Sequence, residues 1–538
     1  MKHHLRRRFV VGSLAIAIAF LPAAIDLGPC SHAQRVEVLA LTGDTAPNGN
    51  GEFSAFGAPV LNDLGQAAFV VSHAASVGFD GQDVGVYLAG DTVTQIVRAG
   101  QAAPDGNGTF SSLIYNDTVA WVTVNEAGQV GFRGTLAGTA AGFSDNEGLF
   151  LGDGQTITQI AREGQPAADS NRTYRGFTFL GDLASFPLNN AGQVVFASSL
   201  NDPAHGPTQP VIIRSDGVVE TEFATFPPPQ LAPTINDAGQ VASFSSAGVL
   251  RSDGITSTVV ASSDQASPVG NAAFSGLTGS PVINDVGQIA FLGNLLLQDE
   301  VGSPFGIFLG DGDTVLEIVR SGQPAPDGNG AFFVRLFMQG ARGPRDVVVA
   351  LNNVGQAAFF TTIVCTDFFT GIACTEEPPF TSIFRGDGTV EGLVEIARGG
   401  GAAPGGGEFF VFGDRSSNEA SVAINDLGQV AFLATVVEEP QQGSLGIFLY
   451  DDRLGLIEVA RTGDPLLGST ITWLVFEPGG VRQDEGSGFN ELGQVAYAFE
   501  LADGRGGIAL YTPPVPEPGS LCLAAAALAV GGLRRRRS

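Results

Sequence analysis

Eight times the chain repeats Asn-x-x-Gly-Gln followed by a short apolar run, starting at Asn62, Asn125, Asn189, Asn236, Asn284, Asn352, Asn425 and Asn490. The fourth places are Gly65, Gly128, Gly192, Gly239, Gly287, Gly355, Gly428 and Gly493. Successive copies lie 63, 64, 47, 48, 68, 73 and 65 residues apart, and self-similarity at such a period marks a repeat architecture whose units bury their apolar faces against one another. The motif reads as backbone chemistry. Asn can cap a turn through its side-chain oxygen, the Asp or Asn common at the second place suits a type I turn, and Gly can take the left-handed conformation that leads into the next strand. Any other residue at that Gly costs about 1 kcal/mol or more.

One period, residues 306–360, shows the rest of the unit. Gly306-Ile307-Phe308-Leu309 and Thr314-Val315-Leu316-Glu317-Ile318-Val319-Arg320 flank Gly310-Asp311-Gly312-Asp313 and read as a hairpin. Ser321 to Gly330 is too rich in Gly and Pro for a strand and reads as a connection. Asp346 to Leu351 and Gln356 to Phe360 are extended on either side of the Asn352 turn. Each period thus supplies four strands, which predicts an all-β protein: a β-propeller of about eight four-stranded blades, with seven as the alternative count. Val36 to Leu41 matches the last strand of a blade without its partner, and Gly507 to Tyr511 matches that partner. The two are expected to pair antiparallel and close the ring.

Composition agrees with a folded chain of many turns: 44% apolar residues, 74 Gly and 30 Pro, with Lys2 the only lysine. Eight basic and two acidic residues sit in the two ends, so the body between them carries a formal charge of −34. That charge disfavours nucleic acid as a partner.

Residues 1–33 read as a secretory signal peptide: Lys2 and Arg6 to Arg8, an apolar run from Phe9 to Ile25, then Ser31-His32-Ala33 as a cleavage site. A lipoprotein-like Cys30 is disfavoured by Pro29 and Asp26. Residues 34–512 form the propeller, and residues 513–538 form a tail of three parts. Pro516-Glu517-Pro518 precedes thirteen mostly apolar residues, Leu521 to Leu533, and Arg534, Arg535, Arg536 and Arg537 follow. Thirteen residues span roughly 20 Å as a helix, short of a hydrocarbon core of about 30 Å, which suits a transient hold in the membrane better than a permanent span. The tail resembles the PEP-CTERM sorting signal of Gram-negative bacteria. That resemblance implies Sec export, recognition of the Pro-Glu-Pro motif by an exosortase and a precursor held in the inner membrane. Export also frames Cys365 and Cys374, the two cysteines of the body, as a disulfide closing an insertion that ends Glu376-Glu377-Pro378-Pro379, with free thiols otherwise.

The eight motifs resemble bacterial surface proteins described as choice-of-anchor tandem repeats of the Asn-x-x-Gly-x-x-Ala-Phe type. This chain departs from the pattern at Gly131, Val195, Ser243 before Phe244, and Tyr497, which points to less regular blades there. The family carries no activity to transfer.

No catalytic residue is assigned. Past the leader only His73 and His205 remain, and no nucleophile elbow, phosphate loop or zinc-protease motif occurs. Asp105-Gly106-Asn107-Gly108, Asp327-Gly328-Asn329-Gly330 and the related Asn48-Gly49-Asn50-Gly51 offer oxygens to Ca²⁺ but lack a full Ca²⁺-loop pattern, so simple turns are expected and no metal or cofactor is assigned. Arg98, Arg162, Arg320, Arg398 and Arg461 recur at the end of the outermost strand, where capping is expected in preference to an axial ring of guanidinium groups binding acidic polysaccharide. The expected function is a non-enzymatic cell-surface or matrix module binding polysaccharide or protein. The alternative is a glycan hydrolase or lyase with paired carboxylates in the channel.

Overall fold

The computed structural model describes residues 35–514 except 75–82, 114–121, 168–170, 178–186, 209, 224–231, 271, 298–303, 335–336, 339–343, 346–348, 365–379, 414–421, 439–441 and 480–485. The leader, Pro516, Glu517, Pro518, Arg534 to Arg537, and the Cys365 and Cys374 pair lie outside the described residues.

Eight antiparallel sheets of four or five strands follow one another along the chain, together with one two-stranded ribbon, Phe337–Met338 with Pro344–Arg345. Blade 1 shows the pattern. An inner strand in two pieces, Glu52–Phe56 and Val60–Leu61, pairs with Ala67–Ala74, which pairs with Val84–Ala89, which pairs with Val93–Arg98. We letter these positions A to D from the axis outward. Asn62 to Gly65 is the A–B turn, and the stretch from Thr42 to Gly51 is the connection entering the blade.

The first piece of strand A is absent from the sequence reading. Its pairing is broken by a bulge, between Phe53 and Ala55 in blade 1 and between Phe409 and Val411 in blade 7, and a bulge removes the alternation by which a strand is recognised. The B, C and D strands match expectation; in blade 5, Phe305–Gly310 pairs with Val315–Arg320.

The ring closes as the sequence indicates. Arg35–Leu41 is strand D of blade 8, antiparallel to Gly506–Thr512, with Val36 opposite Tyr511 and Leu41 opposite Gly507. Residues 35–513 form one compact unit.

The cores of blades 1, 2, 5, 6 and 7 are built around a recurrent aromatic trio. In blade 7, Phe409 of strand A meets Phe448 of strand C edge-on at 5.0 Å, and Phe432, the Phe of the motif, stacks on Phe448 at 5.7 Å. Phe110, Phe132 and Phe150 repeat this in blade 2, and Phe274, Phe291 and Phe308 in blade 5. Such pairs add about 0.5–1.5 kcal/mol beyond their buried area. In blade 1 the trio is Phe53, Phe69 and Tyr87. Tyr497 substitutes for Phe in blade 8 and is fully buried, so it keeps the core position. Blade 4 is altered. Ser243 occupies the slot of the motif Phe, and the period of two turns Phe244 to the opposite face of strand B, where it is half-buried.

Candidate functional site

The turn face of the ring is built from the motif itself. Each Asn uses all its side-chain groups. In blade 1 its Oδ1 accepts from the N–H of Gln66 at 2.9 Å, and in every blade its Nδ2 donates to the Oε1 of its own Gln at 2.8–3.1 Å. The same Nδ2 donates to the main-chain carbonyl of the Asn in the next blade, at 2.9–3.2 Å in all eight cases, the last from Asn490 back to Asn62. The result is a closed circle of eight buried hydrogen bonds, and this circle places the A–B turns around the axis.

A second circle runs through the same turns. The N–H at the second place of each turn donates to the side-chain oxygen at the second place of the following turn, at 2.6–2.8 Å, through Asp63, Glu126, Asn190, Asp237, Asp285, Asn353, Asp426 and Glu491. Asp, Asn and Glu all serve because each offers an acceptor oxygen on a short arm. The circle gathers six carboxylates at one mouth. Burial is the main cause that raises Asp63, Glu126 and Asp285 above the usual carboxylate range. Glu491 is pushed up to about 7, by burial and by the charges of Asp426, Asp63 and Asp285, against the hydrogen bond it accepts from the Asp426 N–H.

The fourth-place glycines take φ between 72° and 84°. The motif Gln of the preceding blade lies against each one: a Cβ on Gly428 would sit 2.9 Å from Oε1 of Gln356 and 2.6 Å from Nη1 of Arg385. Gly428 is therefore required twice, by its turn and by its neighbour. The third places point outward and leave Leu64, Val286, Val354, Leu427 and Leu492 exposed around the mouth.

Three arginines missed by the sequence reading also act here. Arg214, Arg251 and Arg385 sit on strand C where other blades carry Leu, as at Leu88 and Leu309, and donate to the carbonyls of Gly239, Gly287 and Gly428 in the next blade. Their signal in the sequence is the shared step Arg-Ser-Asp-Gly or Arg-Gly-Asp-Gly at 214–217, 251–254 and 385–388.

On the opposite, connection face, the structure joins two features that the sequence shows separately. The recurrent strand D arginine of a blade grips the Gly-rich connection entering that blade. Arg162, fully buried, donates to both carboxylate oxygens of Asp105 at 2.9 and 2.8 Å and to the carbonyl of Asn107 at 2.7 Å. Arg98 pairs with Asp83 and donates to Asn48 Oδ1 and the Asn50 carbonyl, and Arg398 pairs with Asp327 and Glu395. Arg461 donates to the carbonyls of Pro404 and Gly406. These arginines are not axial, and the oxygens that could have served Ca²⁺ in the Asp105 and Asp327 turns are aimed at guanidinium groups. Arg320 is the exception: it pairs with Glu317, and the connection entering its blade, Ser262 to Gly270, has no Asp-Gly-Asn-Gly.

His73 is buried in blade 1, where Nε2 lies 2.7 Å from the Tyr87 hydroxyl and Nδ1 3.2 Å from the Asp83 carbonyl; burial holds its imidazole below the ordinary range. His205 is exposed beside Asp202. The connection face also carries a groove of about 880 Å³ between blades 6 and 7, bordered by Phe360, Phe380, Phe410, Glu408 and Glu438 over the glycines from Gly399 to Gly407.

Solved structures similar to this chain include the sialidase of Trypanosoma rangeli, with 10% identity, TM-score 0.25, and coverage of 95% of this chain and 63% of the sialidase. The chain thus spans less than two thirds of that protein. The α-L-arabinanase of Penicillium chrysogenum, complexed with arabinobiose, is 12% identical at a TM-score of 0.25, covering 79% of this chain and 99% of that one. A protein of unknown function from Dyadobacter fermentans is 8% identical at a TM-score of 0.25, covering 77% and 98%. No curated protein matches the sequence. Residues 514–537 match the PEP-CTERM protein-sorting motif, so the chain carries the signal for export and membrane-associated, exosortase-dependent sorting in Gram-negative bacteria. Residues 30–218 and 230–522 match the model of DUF7453, and the chain belongs to this family of unknown function.

Proposed function

We propose that the protein is a non-enzymatic binding module of the cell surface or extracellular matrix, sorted by its tail and akin to the choice-of-anchor tandem-repeat proteins that its motifs resemble. Its ligand is an extracellular polysaccharide. The observation that carries this reading is how the recurrent polar side chains are used. The Asn, Gln and acidic residues of the turns and the arginines of strand D are bonded between blades or to entering connections, which supports a rigid ring presenting its loop edges. A glycan array probed with the propeller, residues 34–512, tests it. Retention of a polysaccharide without release of reducing ends is the expected result, and absence of any retention overturns it.

One observation favours the rival hydrolase reading. Glu491, raised to about 7, stands among the carboxylates of Asp426, Asp63 and Asp285, and a raised carboxyl of this kind suits a general acid. Release of reducing ends from a bound polysaccharide, abolished by Glu491→Gln, would establish that reading instead.

A further inference from the structure

We propose that the groove between blades 6 and 7 is a saccharide subsite, taking a neutral polysaccharide chain; this rests on the binding-module reading above. The groove lies over a connection pared down to glycine. In blade 2 the entering loop runs Pro104-Asp105-Gly106-Asn107-Gly108, and its two polar side chains fill the space beside strand A: Asp105 reaches Arg162, and Asn107 Nδ2 donates to Asp145 at 2.9 Å. In blade 7 the loop is Pro404-Gly405-Gly406-Gly407, one residue shorter. The hydrogen bonds from Gly406 N–H to the Ala403 carbonyl and from Ala403 N–H to the Gly407 carbonyl match those from Gly106 and Ala103, so Gly405 stands at the place of Asp105 and the Asn is deleted. The Asn side chain is gone, the Glu458 carboxylate stands against Gly405 where the Asp would be, and the peptide groups of Gly405, Gly406 and Gly407 line the groove.

What borders that space suits a sugar ring. Phe410 is 53% exposed, where the corresponding residue in blade 2 is Ser111. Phe380 holds its ring under the Arg398 guanidinium at 4.5 Å, which fixes its orientation. Apolar C–H faces of a pyranose pack on such rings, while hydroxyls need acceptors and donors at the edge of the contact. Glu408 and the exposed Glu438 supply acceptors, the latter while its Oε1 pairs with Arg461. The carboxylates and the acidic body disfavour an anionic polymer, which makes the ligand neutral. The same groove adjoins Phe380, the first described residue after the 365–379 insertion.

The test is calorimetry of the propeller, residues 35–513, which closes on its own first strand, against cello-, xylo- and mannohexaose, with oligoalginate as the anionic control. Binding of at least one neutral hexasaccharide is expected, weakened at least tenfold by Phe410→Ala and by Glu408→Gln, and unchanged by Leu64→Ser on the opposite face. Both groove positions are exposed, so their melting temperatures should match the parent. Neutral binding that survives both groove substitutions overturns the subsite and leaves the binding-module reading standing. A preference for oligoalginate overturns the neutral assignment. Failure of every polysaccharide on the array removes the binding-module reading and the subsite with it.

Discussion

The two faces of the ring use similar residues under different constraints. On the turn face every blade supplies the same Asn, Gly and Gln, and each turn bonds to both neighbours, so one altered copy breaks a circle. On the connection face each arginine serves one blade and its own entering loop, so one blade can change alone. Blade 5 pairs Arg320 within its own strand, blade 3 replaces the clamp with Arg172 and Glu222, and blade 7 keeps Arg461 but trims its loop to glycines. Closed reciprocal bonding enforces uniformity, whereas local bonding permits divergence and with it a specific site.

This contrast can be broken at several points. The largest effect is expected at Arg162→Ala on the connection face. It removes a fully buried side chain together with its hydrogen bonds to the Asp105 carboxylate, itself 30% exposed, and to the Asn107 and Asp145 carbonyls, at about 3 kcal/mol, read by urea denaturation. A loss below 1 kcal/mol would show that the clamp is ornamental. Gly428→Ala should cost about 2–3 kcal/mol, because a left-handed φ of 74° is compounded by the collision with Arg385 and Gln356. Gly106→Ala has nearly the same φ, 73°, but nothing within 4 Å of its Cβ, and should cost only about 1 kcal/mol. Equal losses at the two glycines would erase the distinction between the faces.

The smallest effects are titrations. The folded pKa of Glu491, about 7, lies above its unfolded value near 4.5, so the folded state binds the extra proton between them. Its contribution to stability is present below about pH 4.5 and is lost as pH rises through about 7. Glu491→Gln should raise the melting temperature at pH 8 and leave it unchanged near pH 4. His73 acts in the opposite sense: its folded pKa is lowered, so it destabilises the fold as pH falls below its ordinary value near 6.5, and His73→Gln should flatten that acid limb. A variant without effect on either limb would remove that residue from the pH account.

Much of the architecture was legible because it is local. Turn residues and a period of two specify the hairpins at Asn62 to Asn490, and half a hairpin at each end of the body specifies closure between Val36 and Tyr511. The inner strand was half hidden, since a bulge at Phe53 or Phe409 cancels alternation. Arg162 and Asp105 were each noticed, but their pairing spans 57 residues and no spacing rule connects them. Arg214, Arg251 and Arg385 recur as Arg-Ser-Asp-Gly or Arg-Gly-Asp-Gly in three blades, but nothing local shows that their partners lie in the next blade.

The sequence by itself determined the blade and the order of its strands B to D and left the count between eight and seven, because turns and alternating strands are short-range consequences of residue type, whereas the count of eight was decided by the fold. Only the tertiary structure decided what the polar residues do. Asn caps its own turn by local geometry, but its amide reaches the next Asn only once eight blades have curved into a ring. A hydrogen bond between residues 428 positions apart, Asn490 to Asn62, exists because the chain returns to its start, a condition no single repeat contains.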